Sequence, residues 1–276
     1  MRRPYASLAA ADIAARCPYR PHAASRIVTN LDQGSTLPIA AESDRRASMQ
    51  IYEQLWGEAV AALALGRPQV DPHLSDRAHD WRRGVSLLFQ PSPGVQARIK
   101  LLLDELAAEF PGQYFYRPEE LHVTVLSLIS ASEDWRNQIR EVSRFKVLLR
   151  EALRGQPNFE ISFRGVTAAP NAVMIQGFPV GEALEKLRGT VRRAFAQHGF
   201  GDRLDRRYRN VTAHLTAMRF ARPDANWQRL LAILTAHRET RFGNGRVSSL
   251  QLVWGDWYRS TGNLRILEEF RLENGD

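Results

Sequence analysis

The chain has 276 residues, 44% hydrophobic and 25% charged, with a formal net charge of +8. That is the profile of an ordinary globular protein, with material for one large domain or two modest ones. No apolar run approaches the ~18–20 residues a bilayer-crossing helix needs. The lone Cys17 can form no internal disulfide, and no Cys/His cluster suggests zinc, so neither metal nor cofactor is expected.

The charge is unevenly placed. Residues 1–80 balance nine Arg/Lys against nine Asp/Glu, so the whole excess lies beyond them. Only Lys100, Lys146 and Lys186 are lysines; the rest of the basic residues are arginines. The planar guanidinium fork suits phosphate, and a basic excess favours an anionic partner, although genome composition gives the same bias.

At the N-terminus, "YASLAAADIAARC" is broken by Asp12 and Arg16 and lacks the apolar h-region of a secretory signal. A cytoplasmic protein is expected, with a transit peptide as the alternative. Residues 1–45 show no sustained period beyond a short helix near 7–16. From 46 to 66, Met49, Tyr52, Trp56, Val60 and Leu63 recur at helical spacing up to Gly66. A connector containing His73 and His79 follows, and both histidines read as surface residues.

"GVSLLFQP" (84–91) reads as a strand stopped by Pro91. Val95, Ile99, Leu102, Leu103 and Leu106 then form one helical face. A strand is predicted through "LHVTVLSL" (121–128) and a helix over 135–154. The second half repeats this order: a strand at 171–178, a helix with Leu184, Leu187, Val191 and Phe195 on one face, a strand over "YRNVTAHLTAMRF" (208–220), and a helix at 225–237. From Gly84 to His122 is 38 residues, and from Asn171 to His214 is 43. Three more strands are predicted at 159–167, 246–257 and 264–272, the last two joined as a hairpin through "YRSTGN".

The two matched units each carry His-apolar-Thr: His122-Val123-Thr124 and His214-Leu215-Thr216. In a strand, residues i and i+2 share a face roughly 7 Å apart, so each His and Thr would line a groove while Val123 and Leu215 pack inward. One such motif alone is commonly structural. Two in equivalent places, brought together about a pseudo-twofold axis, put two imidazoles and two hydroxyls in one cleft. That set suits in-line attack on a phosphodiester, one imidazole taking a proton while the other gives one. The threonine hydroxyls would hold the non-bridging phosphate oxygens. Arg219 lies on the opposite alternation of a regular strand, and a bulge or the strand end would turn it onto the phosphate.

"HVTV" at 122–125, "HLTA" at 214–217 and the arginine of "HLTAMR" resemble the motifs of the 2H phosphoesterase superfamily, in the branch of RNA 2′,3′-cyclic phosphodiesterases formerly called 2′-5′ RNA ligases. The resemblance spans about residues 83–272. It implies an α+β, bilobal fold: two pseudo-twofold-related β-α-β lobes with antiparallel sheets around a central cleft, preceded by a partly helical N-terminal extension. On that basis residues 1–80 are an accessory extension and 81–276 the catalytic domain. The resemblance also implies metal-independent opening of a 2′,3′-cyclic phosphate or cleavage of a 2′-5′ linkage, with an RNA end or small nucleotide as substrate. His122 and His214 carry over as the acid/base pair, Thr124 and Thr216 as phosphate binders, and Arg219 as a further phosphate ligand. The rivals are a phosphodiesterase for another cyclic phosphoester, such as a signalling nucleotide or ADP-ribose cyclic phosphate, and a catalytically silent RNA-binding module. A monomer is expected.

Two loops precede the motifs. "RLDRRYRN" (203–210) offers Arg207 to phosphate and Tyr208 to a base, or is a solvated basic loop. "YFYRPEE" (114–120) offers Tyr116 and Arg117 to the opposite wall, with core packing as the alternative for its tyrosines. Trp254, Trp257 and Tyr258 stand near the predicted hairpin, where the sequence does not separate packing from stacking.

Overall fold

The structure, a computed structural model, describes residues 39–274 other than Tyr208 and Asp224. The predicted helix near 7–16, Cys17 and Tyr208 lie outside the described residues.

Where apolar residues recur every three or four positions, the chain is helical, and the predicted faces are buried, except that Met49, Trp56 and Val60 of the first are only partly so. Helix α1 spans Ile39–Ala64, longer than expected at its start, and buries Tyr52, Ala59 and Leu63. Helix α2, Pro93–Glu109, buries Val95, Ile99, Leu102, Leu103 and Leu106, with Pro93 at its first turn. Helix α5, Ala183–Gln197, buries Leu184, Leu187, Val191 and Phe195, together with an unexpected Arg188. The helix predicted at 135–154 is two pieces, α3 (Trp135–Gln138) and α4 (Val142–Leu153), joined by a 3₁₀ turn. Helix α6 spans Trp227–Ala236, with the Asn226 side chain accepting from the Arg229 N–H at its start.

The strands are β1 (Arg83–Phe89), β2 (Tyr114–Phe115), β3 (Val123–Ser132), β4 (Phe159–Ala169), β5 (Ala172–Pro179), β6 (Leu215–Arg219), β7 (Arg241–Val247), β8 (Ser249–Asp256) and β9 (Arg265–Arg271). They form one antiparallel sheet in the order β7-β4-β5-β6-β3-β1-β8-β9, with β2 also pairing β6. Read outward from the β6–β3 boundary, the two halves match: β3-β1-β8-β9 on one side, β6-β5-β4-β7 on the other. The units β1-α2-β3 and β5-α5-β6 occupy equivalent places, which is the bilobal α+β arrangement expected. The lobes also interlock, because α2 packs on β6 and β7 of the second lobe while α5 packs on β3 of the first.

Two predicted strands need correction. The strand over 208–220 is ordered as β6 only from Leu215, because the chain before it lifts over Gly177: a Cβ there would lie 2.1 Å from the Ala213 carbonyl oxygen. The strand at 246–257 is two strands, since β7 pairs with β4 and β8 with β1, and the chain changes lobes at Ser248. The hairpin of β8 and β9 is present.

The N-terminal extension is tied to the sheet. Helix α1 packs on β4, β5 and α6. The connector donates from Gln69 N to Pro170 O at 2.7 Å and from Asp71 N to Phe220 O at 2.9 Å. Tyr258 closes the same end, donating its hydroxyl to Asp71 Oδ2 at 2.9 Å.

Candidate active site

Val123 and Leu215 are register partners in the antiparallel β3–β6 pair, and both are fully buried. Antiparallel geometry then fixes their neighbours: His122 stands beside Thr216 and Thr124 beside His214, all four on the face opposite the buried pair. All four are partly exposed, whereas Val123 and Leu215 are not. Each histidine is the residue just before its strand, and each faces the other motif's threonine. The two histidines sit across a diagonal, a separation of about 7–8 Å at the backbone in such a pair.

Both rings are anchored through Nδ1. His122 Nδ1 lies 2.7 Å from the Glu120 carbonyl oxygen, which can only accept, so the ring carries its proton there and turns Nε2 outward. Glu120 is itself buried and clamped: its carboxylate accepts from Thr261 N at 2.9 Å and Arg117 N at 3.1 Å. His214 Nδ1 lies 2.8 Å from Thr212 Oγ1.

The field around the rings is positive. Burial, then the charges of Arg259, Arg219 and His214, push the His122 pKa down to about 4 against the opposing Glu120 carbonyl. Burial, then Arg188 and Arg219, push His214 down to about 4 as well. Both imidazoles are therefore neutral near pH 7 until an anion enters. The arginines are built to keep their charge available. Buried Arg259 donates to the carbonyls of Gly84 and Gly255 and to Ser86 Oγ; its desolvation lowers its pKa to about 10, still charged at neutral pH. Arg219 donates through Nε to Tyr116 Oη at 2.9 Å and lies over the rings of Trp257 and Tyr258.

Sequence reasoning missed Arg188. Its guanidinium donates to Val125 O at 3.1 Å and Thr124 O at 3.3 Å on one motif, and to Thr212 O at 2.7 Å and Val211 O at 3.2 Å on the other. Where β3 and the segment before β6 splay apart and lose their ladder, this one side chain satisfies carbonyls from both. Burial lowers its pKa to about 10, so it too stays charged. The signal was present: position 188 falls inside the apolar stripe of α5, where a lone arginine needs a buried set of acceptors.

The remaining expected residues divide. Tyr116 is buried to 3% exposure, with its ring 6.5 Å from that of His122; it orients Arg219 and offers no open face to a base. Arg117 is exposed at the turn leading to His122. Arg207, exposed, donates to Ala131 O at 2.6 Å and lies 4.3 Å from the Trp257 ring centre. Trp257 thus contacts Arg82, Arg207 and Arg219. Among the described residues no group of three or more His, Cys, Asp or Glu is placed to hold a metal ion, and no helix is long and apolar enough to cross a membrane.

Residues 90–258 match the family model of the 2′-5′ RNA ligase superfamily. The chain is 27% identical over 183 residues to an RNA 2′,3′-cyclic phosphodiesterase of Methanothermobacter thermautotrophicus, covering 65% of this chain and 93% of that protein. Among solved structures it is similar to TT0787 of Thermus thermophilus, with a TM-score of 0.53 and 16% identity over 70% of this chain and all of that one. E. coli LigT complexed with 3′-AMP follows, with a TM-score of 0.45 and 16% identity over 70% of this chain and 99% of that one.

Proposed function

The chain belongs to the 2′-5′ RNA ligase superfamily, and from that premise we propose that it is a metal-independent phosphodiesterase opening a 2′,3′-cyclic phosphate, or cleaving a 2′-5′ phosphodiester, of RNA or a small nucleotide. The observation that carries this reading is the Val123–Leu215 pair, which sets two Nδ1-anchored imidazoles diagonally across a face with two threonine hydroxyls.

Water attacks phosphorus as one neutral imidazole takes its proton at Nε2. The opposite P–O bond breaks, and the other ring, protonated at Nε2, gives its proton to the leaving oxygen. A phosphate between the rings supplies the negative charge that raises one histidine's pKa, so the acid form is assembled with the substrate bound. Thr124, Thr216 and Arg219 hold the non-bridging oxygens. The name of the methanogen relative supports the cyclic phosphate as first substrate.

The test is turnover, in EDTA, of a panel of 2′,3′-cyclic nucleotides, 3′,5′-cyclic nucleotides, 2′-5′-linked dinucleotides and ADP-ribose cyclic phosphate. Turnover confined to the first and third groups supports the reading. Turnover confined to the others moves the substrate, and RNA binding without turnover of any leaves a binding module.

A further inference from the structure

A second arginine stands on the face that carries the motif side chains. Leu88 of β1 pairs with Thr124 of β3, and Ser86 with Ser127. Val85, Leu87 and Phe89 lie in the core with Val123, so Ser86 and Leu88 share the opposite face with Thr124. Arg259, from the turn after β8, reaches over this face. It donates to Ser86 Oγ at 2.5 Å, to Gly84 O at 3.1 Å and to Gly255 O at 3.2 Å. On the β6 side the register slips by one residue between Met174↔Thr216 and Val173↔Met218. Arg219, paired with Ala172, thereby returns to the face of Thr216. One guanidinium thus comes from each lobe.

The way Arg259 is held is not that of a structural arginine. Its φ is 58°, in the left-handed region that residues other than glycine seldom occupy and that collects at functional sites. It is buried, yet it forms no ion pair among the described residues. Asp256, three residues earlier, is spent on the N–H groups of Tyr258 and Ser260 and on Asn263 Nδ2. Arg188 is different: it makes four hydrogen bonds to carbonyls and has Glu185 at 3.7 Å. A guanidinium has five N–H groups, and Arg259 commits three of them. Those left, on Nε and Nη2, belong to the edge by which Arg82 clamps Asp80 and Arg150 clamps Glu268. Among the described residues the buried side-chain atoms without a partner are Ser132 Oγ and Trp254 Nε1, so the unpartnered Nε of Arg259 is reached by solvent. A buried charge with an open donor edge and no counter-ion is stabilised by an anion from outside. His122 feels this charge more than that of Arg219 or His214.

We propose that Arg259 is a second phosphate ligand: its Nε–H and Nη2–H take a non-bridging oxygen from the β1 side, while Arg219 takes one from the β6 side. This deepens the two-histidine reading and rests on it. Arg259 lies just past the residues that the family model matches.

The test uses the full chain as wild type, Arg259→Gln and Arg259→Gly, the last with a backbone that accepts the left-handed conformation freely. Inorganic phosphate is titrated at pH 7, and binding is read from the ring resonances of His122 and His214. The Arg259 Nε–H resonance of the wild type, assigned through the backbone, is followed in parallel. It should move downfield as phosphate binds. The Kd for phosphate should rise about 10–100-fold in both variants, the scale of one hydrogen bond between charged groups. On a 2′,3′-cyclic nucleotide kcat/KM should fall about 10²–10³-fold. A merely structural Arg259 would lower the thermal midpoint of the variants and leave their Kd unchanged, and that result overturns the proposal. So does an Nε–H resonance that stays still at saturating phosphate, or a wild type that binds no phosphate. The Nε–H measurement needs no variant, so a poorly folding substitution does not remove the test. Absence of turnover in wild type would count against the phosphodiesterase reading alone, since phosphate binding is read without a reaction.

Discussion

Val123 lies opposite Leu215, and among the described residues this is the single register pair between β3 and β6. The placement of the four motif side chains on one face follows from it. A shift of one residue in either strand would send a His/Thr face into the core.

A seam with so little ladder depends on Arg188. Arg188→Met would remove the guanidinium donors of the Thr124, Val125, Val211 and Thr212 carbonyls, the bonds to Val125 and Thr212 being buried. Unsatisfied buried groups cost about 1–3 kcal/mol each, so with two such groups a loss of at least about 2 kcal/mol is expected in denaturant unfolding. Arg188→Lys, which keeps the charge but not the fork, should fall between.

Gly177 and Gly57 make a matched pair of alanine substitutions. At Gly177 a Cβ would meet the Ala213 carbonyl at 2.1 Å, whereas at Gly57, within α1, nothing lies within 4 Å. Gly57→Ala should stabilise by about 0.5–1 kcal/mol through helix propensity. Gly177→Ala should destabilise and lower turnover, because the segment that must move carries Thr212 and His214. Thermal unfolding with parallel rate measurements checks both.

Both histidines are held near 4 in the folded chain, against about 6.5 when unfolded. Between those values the unfolded chain binds protons that the folded chain refuses. Stability is thus fully present above pH 6.5 and is lost as the pH falls toward 4. Thermal midpoints measured from pH 7 to 4 should drop over this window, less steeply in His122→Ala and His214→Ala. An equal slope in all three proteins would contradict the assignment.

Arg219 depresses both histidines. Arg219→Met should therefore raise both pKa values in an NMR titration, while lowering kcat/KM by about 10²-fold, the scale of losing one charge-stabilising donor. Tyr116→Phe, which removes the partner of Arg219 Nε, should move both quantities in the same direction and by less.

Period and spacing were legible wherever burial is one-sided. The α2 and α5 faces, and the shared face of each His-x-Thr pair, could be read because each residue's placement is set within its own element. Two kinds of feature could not. Strand β7, "RFGNGRV", is an edge strand with two glycines and little β propensity, so only its partner β4 defines it. Tyr52 was visible as one apolar position in a helix, but its hydroxyl meets Gly177 across 125 residues of sequence, and no local pattern encodes that. Arg188 stood between: its place in an apolar stripe was visible, its acceptors were not.

The central claim is that His122 and His214 form one site, and a double-mutant rate measurement tests it most directly. On a 2′,3′-cyclic nucleotide in EDTA, His122→Ala and His214→Ala should each lose about 10²–10⁴-fold in kcat, and the double variant should lose little more than either alone, as for residues that act as a unit. Turnover unchanged in either single variant, or losses that simply multiply in the double variant, would contradict it.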